Sequence, residues 1–310
     1  VARSYGLDES TAYADATITA RATGIRFGRE EEGDSGSGSI SGNFINRGDV
    51  FVSSTVHSTS EAYAEGRGDL QSAAGAEVYA SATGIYLDAG YVEDNFRSEG
   101  YVNVAIQAQA KLVANSTVDD ESDGYAFATA GGFEGPEAGV YVNGTGLDLF
   151  ISEISGYIYN SAQIDVDVSA TQTSIVTANG GDYGAAVAFA GGVVRAESSG
   201  IYLELGSAGT GLEWVDDEEM GDGSFANTGV INSNAGARIV QTVHAAADDG
   251  YALAVAEVYG SESFEDDDAD AFAYGIRIEA YEETAYFAGS VINTGNVIAT
   301  SRLSADIEAR

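Results

Sequence analysis

One short pattern constrains this chain more than any other feature. It reads Gly-x-Φ-Φ-Asn-x-Gly-x-Φ-x-Φ, with Φ apolar, and it returns along the whole sequence as Gly42 to Val52, Gly156 to Val166 and Gly289 to Ala299. Ala162 takes the second glycine slot in the middle copy, Gly223 to Ser233 keeps the frame, and Asp94 to Val104 keeps the hydrophobic skeleton. Recurrence in fixed order means stacked units that share one continuous core. Asparagine tolerates the left-handed region and glycine permits positive φ, so the pattern reads as strand, tight turn and strand. Its turn residues are Asn46, Gly48, Gly100, Asn160, Asn227, Gly229, Asn293 and Gly295. Period-two alternation follows the turn: Val102, Val104, Ile106, Ala108 and Ala110 share one face, with Asn103, Gln107 and Gln109 on the other, as in a half-buried strand.

Two further signals keep the same order. An alanine-rich strand announced by tyrosine appears at Tyr13-Ala14, Tyr63-Ala64, Tyr125-Ala126, Tyr183 to Ala190 and Tyr251-Ala252. A glycine-aliphatic strand follows at Gly24-Ile25, Gly84-Ile85, Gly139-Val140, Gly200-Ile201 and Gly275-Ile276. Successive second-glycine slots, at 48, 100, 162, 229 and 295, are 52, 62, 67 and 66 residues apart. The sequence therefore predicts an all-β fold, a parallel β-solenoid of five degenerate units of about 60 residues each. Approximate units are 1–55, 56–112, 113–175, 176–243 and 244–310 of a single elongated domain. Long recurrence intervals, like residues at each ladder position and a lone proline, Pro136, favour this over the alternative, a tandem array of β-sandwiches. The absence of a shorter internal period favours one wide coil per unit, about 24 Å for five rungs at about 4.8 Å each. The two termini stand in compatible repeat phase, which suggests an excerpt of a longer array or copies that continue one another's stack.

Charge narrows the partners. Forty-nine Asp and Glu oppose 13 Lys and Arg, a net charge of −36, which disfavours nucleic acid and anionic lipid surfaces and makes cations the natural small partners. The acids concentrate between strands, at Glu30 to Glu32, Asp119 to Glu121, Asp216 to Glu219 and Glu265 to Asp268. With no cysteine, disulfides and thiolate sites are excluded. Val1 is not followed by a charged and apolar leader, which fits a mature or excised segment. The longest apolar stretch, Tyr183 to Val194, is too short and too glycine-rich to span a bilayer, so no membrane insertion is expected.

Catalytic motifs are missing. Neither a Gly-x-Ser-x-Gly elbow, a Gly-Lys-Ser/Thr phosphate loop nor a His-Glu-x-x-His helix occurs, and the two histidines, His57 and His244, sit in different registers. They read as strand-face residues. No cofactor is expected, calcium being the one candidate ion. Its hard oxygen ligands would come from Asp216, Asp217, Glu218 and Glu219 and from Glu265, Asp266, Asp267 and Asp268, although acidic runs are more often solvated surface. Arg-Gly-Asp occurs at Arg47 to Asp49 and Arg67 to Asp69, the first in an ordinary turn slot that needs no receptor to explain it.

The segments Phe44 to Val50, Phe225 to Ile231 and Val291 to Val297 resemble the Ile-Asn-x-Gly-x-Ile repeats of bacterial autotransporter passengers and large filamentous adhesins. The resemblance spans the chain through a short, degenerate motif. It implies a secreted parallel β-helix used in adhesion, aggregation or surface-layer building. Greater unit length and acidity depart from that pattern, and there is no translocator barrel in the sequence. The expected function is a non-enzymatic, extracellular structural protein that forms or decorates a bacterial surface fibre, sheath or layer by self-association through end-to-end solenoid contact. The alternatives are a stalk or passenger segment of a longer adhesin, with surface glycans as partners, and a carbohydrate-active β-helix.

Overall fold

The computed structural model describes residues 1–6, 9–28, 38–119, 123–131, 138–205, 225–258, 269–280 and 291–310. The first coil holds β1 (Ala2–Gly6), β2 (Glu9–Ala14), β3 (Thr17–Phe27), β4 (Gly38–Ile40) and β5 (Phe44–Asn46). The second holds β6 (Val50–Gly66), β7 (Asp69–Ala74), β8 (Ala76–Val92) and β9 (Phe96–Ser98), and the third β10 (Tyr101–Val118), β11 (Ala126–Ala130), β12 (Ala138–Ile154) and β13 (Ile158–Asn160). The fourth holds β14 (Gln163–Asn179), β15 (Ala185–Ala190), β16 (Val193–Leu205) and β17 (Phe225–Asn227). The fifth holds β18 (Val230–Ala246), β19 (Tyr251–Ala256), β20 (Asp270–Ala280) and β21 (Val291–Asn293), and β22 (Asn296–Ala309) opens a sixth.

Each coil visits four parallel sheets in turn. Sheet A is β1-β6-β10-β14-β18-β22, sheet B is β2-β7-β11-β15-β19, sheet C is β3-β8-β12-β16-β20 with β4 beside β8, and sheet D is β5-β9-β13-β17-β21. The chain is therefore a parallel β-solenoid with one wide coil per unit. In sheet A the column Val50, Val102, Ile164, Ile231 and Val297 advances by 52, 62, 67 and 66 residues, the same steps as the glycine slots of the sequence.

Side-chain size sets how far apart the sheets stand. Alanines line the inner face of sheet B, as in the column Ala14, Ala74, Ala130, Ala190 and Ala256, and bring it close to sheet A. Sheet D is short and needs bulk instead: Phe44, Phe96, Ile158, Phe225 and Val291 form its core column, with the Phe44 and Phe96 rings stacked at 5.3 Å. Phe96 and Phe225 are fully buried, each burial contributing about 1.5–3 kcal/mol.

Sheet C meets sheet A through glycine. Gly24, Gly84, Gly146, Gly200 and Gly275 form one column, and a Cβ on them would lie 2.5 Å from Val50, 2.4 Å from Val102, 2.4 Å from Ile164, 2.2 Å from Ile231 and 2.1 Å from Val297. The sequence reading placed Gly139-Val140 in this column. The structure corrects it to Gly146-Leu147, because Gly139 pairs with Glu77 and Val193 instead. Tyr63-Ala64 is likewise corrected: it lies in β6 of sheet A, and Asp69 to Ala74 supplies the sheet B strand of that coil.

The Asn-Gly turns also work differently from the sequence expectation. Positive φ occurs at Gly28, Gly66, Gly68, Gly131 and Gly192, and at none of Gly48, Gly100, Gly229 and Gly295. Three of these turn glycines are required by close approach: a Cβ on Gly100, Gly229 or Gly295 would fall 2.0, 2.1 or 2.0 Å from a carbonyl oxygen of the preceding coil, whereas one on Gly48 would meet nothing nearer than 3.9 Å. The asparagines turn inward and form a ladder. Asn160 Nδ2 donates to Asn227 Oδ1 at 2.7 Å, and Asn227 Nδ2 donates to Asn293 Oδ1 at 2.8 Å. Asn46 bonds both the N–H and the carbonyl of Gly48, and so holds its own turn.

Gly146→Ala should destabilise the chain by about 1–3 kcal/mol, since Ile164 cannot retreat from a packed core. Gly236→Ala, whose Cβ would meet nothing nearer than 3.8 Å, should stay within about 0.5 kcal/mol. Thermal melts followed by circular dichroism should show a drop for the first variant and overlay the wild type for the second.

Candidate functional site

Parallel, in-register stacking puts like positions about 4.8 Å apart, so a column of aromatic residues becomes a stack of rings. On the outer face of sheet C the Tyr79 and Tyr141 rings lie 5.0 Å apart and within 8° of parallel. Phe150 bridges Tyr86 and Tyr202, at 5.8 Å from each. Arg277 ties the fourth and fifth coils together. Its Nη1 donates to Glu197 at 2.9 Å and its Nε to Glu279 at 2.6 Å, and its guanidinium lies 5.4 Å from the Tyr202 ring and 4.9 Å from the Tyr274 ring. Arg195 pairs with Glu197 at 3.6 Å and lies over Phe272. The Tyr202 hydroxyl reaches Glu279 at 2.8 Å and Glu204 at 3.0 Å. Burial and these two carboxylates push its pKa up, and it stays a phenol donor, while the Tyr202 hydrogen bond and Arg277 hold Glu279 below the usual carboxylate range.

A cleft of about 440 Å³ opens on this face between Thr19, Arg21, Tyr79, Tyr141, Arg195 and Glu197. It offers ring edges, guanidinium donors and one carboxylate among its described lining residues, and Arg195 and Arg277 both engage that carboxylate. The sequence reading missed this face. The signal was present in the 62-residue step from Tyr79 to Tyr141, which is also the step of the coil there.

The coil ends form the second candidate site. Val291 is 58% exposed and Leu303 53%, although their column mates Phe225 and Ala237 are buried. Among the described residues no strand covers the free edge of β19, β20, β21 or β22.

The proposed calcium ligands Asp216 to Glu219 and Glu265 to Asp268 lie outside the described residues. Among the described residues no group of three or more His, Asp or Glu could hold a metal ion. His57 and His244 are exposed on the outer face of sheet A and occupy different columns, opposite Gln109 and Thr177. No described helix is long and apolar enough to cross a membrane.

These features define a repetitive parallel β-solenoid whose sheet C carries aromatic rings and arginines on its outer face. Comparison with protein-family models, curated proteins and solved structures yields no match.

Asp148 gives the face a pH dependence. It shares a column with Tyr86 and Tyr202, its Oδ1 is buried with no hydrogen-bond partner among the described residues, and burial followed by the nearby Glu204 raises its pKa to about 7. A raised carboxyl pKa means the folded state holds the proton longer than the unfolded chain. Stability from this group is thus lost as pH rises from about 4 to about 7 and stays lost above. Asp148→Asn should therefore stabilise at pH 8, by on the order of 1 kcal/mol, and change nothing at pH 4. Paired melts at the two pH values check this, and an equal shift at both would exclude titration as the cause.

Proposed function

We propose that this chain is a non-enzymatic structural protein of the bacterial cell exterior that contributes a stiff, acidic β-solenoid to a fibre, sheath or layer through end-to-end contact. The observation that carries this reading is the run of core columns left exposed on β21 and β22, at Val291, Leu303 and Ile307. Buried columns that end in solvent beside unpaired strand edges invite a further coil. A net charge of −36 keeps separate copies apart at low salt, and screening should bring them together. Sedimentation velocity and negative-stain electron microscopy should show end-to-end particles that lengthen with protein concentration and between about 0.05 and 0.5 M NaCl. Monodisperse single particles under all these conditions would defeat the reading.

A second reading concerns the sheet C cleft, whose stacked tyrosines beside Arg195 and Glu197 fit contact with a surface glycan. Glycoside hydrolysis needs two carboxyl groups flanking the scissile bond, and Glu197 is the single carboxylate among the cleft's described lining residues, so binding is favoured over cleavage. Retention of the chain on columns of immobilised bacterial polysaccharide should fall several-fold in Tyr79→Ala and Arg195→Ala. Equal retention of variants and wild type removes the cleft from the contact.

A further inference from the structure

The two ends of the stack depart from the coils between them at the same columns. On the outer face of sheet A one column reads Asn103, Asp165 and Asn232 in the third, fourth and fifth coils, and these are hydrogen-bonded: Asn232 Nδ2 and the Tyr101 hydroxyl each donate to Asp165 at 2.7 Å. At the two ends that same column carries Phe51, 68% exposed, and Ile298, 47% exposed. On sheet D the outward column reads Arg97, Tyr159 and Ala226 in the middle, and Ile45 and Ile292 at the ends, 40% and 47% exposed. An outward column in water is expected to be polar, and here it is polar or mixed except where the stack stops.

The inner columns agree. Leu87, Leu149 and Leu203 are buried in sheet C, and the same column ends in Phe27 and Ile278, both more than a third exposed. The asparagine ladder of sheet D ends at Asn293, whose column mate on the first coil is again an asparagine, Asn46. Among the described residues the strand edge of Val50 to Glu61 has no second partner, because β1 pairs only with Ala62 to Gly66.

We infer that the C-terminal end of one copy's stack receives the N-terminal end of a second copy in the register of the solenoid itself, with Phe51 of the second coil on Ile298, and Ile45, Phe27 and Asn46 of the first coil on Ile292, Ile278 and Asn293. This joint rests on the end-to-end reading above and specifies its register and residues. Continuation in register covers three apolar residues from each copy and extends the parallel ladder across the boundary, whereas a slip of one residue would set inward side chains against outward ones. Arg21 falls opposite Phe272, which Arg195 already covers from the coil beneath. Two pairs oppose the joint, Arg26 with Arg277 and Glu61 with Glu308. The first is offset by Glu279 and Glu197, which already hold Arg277, and the second lies on the solvated rim where salt screens it. Because Ala2 and Ala309 both stand in the column of Ala62, Ala309 and Arg310 of one copy must leave the ladder positions that Ala2 and Arg3 of the next copy occupy. The contact is heterologous, one face of each copy against the opposite face of the next, so it propagates instead of closing.

That polarity gives the test. Phe51→Asp spoils only the N-terminal face and Ile298→Asp only the C-terminal face, and both positions are too exposed for either change to disturb the fold, as far-ultraviolet circular dichroism would check. Each variant alone should sediment as a monomer under conditions where the wild type forms chains. An equimolar mixture should give dimers and nothing longer, because one intact face of each kind remains. The chain has no cysteine, so Ile45→Cys with Ile292→Cys in one polypeptide should add a ladder of disulfide-linked oligomers on oxidation. Wild-type chains that survive both aspartate variants would overturn this joint and leave end-to-end assembly standing. A wild type that never associates would overturn both.

Discussion

The constraint on which the coil depends is a column of β-branched side chains in sheet A pressed against a column of glycines in sheet C. Val50, Val102, Ile164, Ile231 and Val297 each fill the space where a Cβ on the facing glycine would stand. The other distances of the coil follow from it. Sheet C is drawn onto sheet A at this line, alanines let sheet B close the next side, and phenylalanine spans the remaining gap at sheet D. Interiors pack to near-crystalline density, so a methyl group at any one glycine would be felt along the ladder in both directions.

In-register parallel stacking also governs the surface. Each outward residue stands above its equivalent in the next coil, and like charges directly opposed are destabilising. The column Arg26, Tyr86, Asp148, Tyr202 and Arg277 answers this by alternation, with a ring between each pair of charges. On sheet A the single carboxylate of a column, Asp165, sits between Asn103 and Asn232. Burial would raise its pKa, but donors from Asn232, Tyr101 and Gln163 hold it below the usual range. Acids on these columns therefore stand among neutral neighbours, and where Glu204 meets Glu279 the Tyr202 hydroxyl reaches both.

The step of the coil, the order of its strands and the period-two alternation of residues 101 to 110 were legible in the sequence, because each leaves a local mark that repeats. Register across unequal connections was not. The third unit contains Gly139, Gly144 and Gly146 within eight residues, and only pairing with Gly84 and Gly200 on either side selects the last of them. Tyr63-Ala64 misled for a similar reason, since alternating tyrosine and alanine suit the end of a sheet A strand as well as a sheet B strand. The Asn-Gly motif was found for a reason the structure replaces: its conformation is ordinary, and its composition answers to the neighbouring coil. The aromatic and arginine face could be seen only by reading down columns, which presupposes the register.

Because the ladders fix residue number only inside strands, the coil is indifferent to what is strung between them. Equivalent residues of sheet C are 54 apart between β12 and β16 and 75 apart between β16 and β20, yet both pairs keep one register from end to end. The corners between sheets B and C and between sheets C and D absorb the difference. A foreign peptide spliced at either corner would be carried at a fixed height on the stack, which makes the solenoid a ruler on which separate segments could be displayed at spacings set by the number of coils between them.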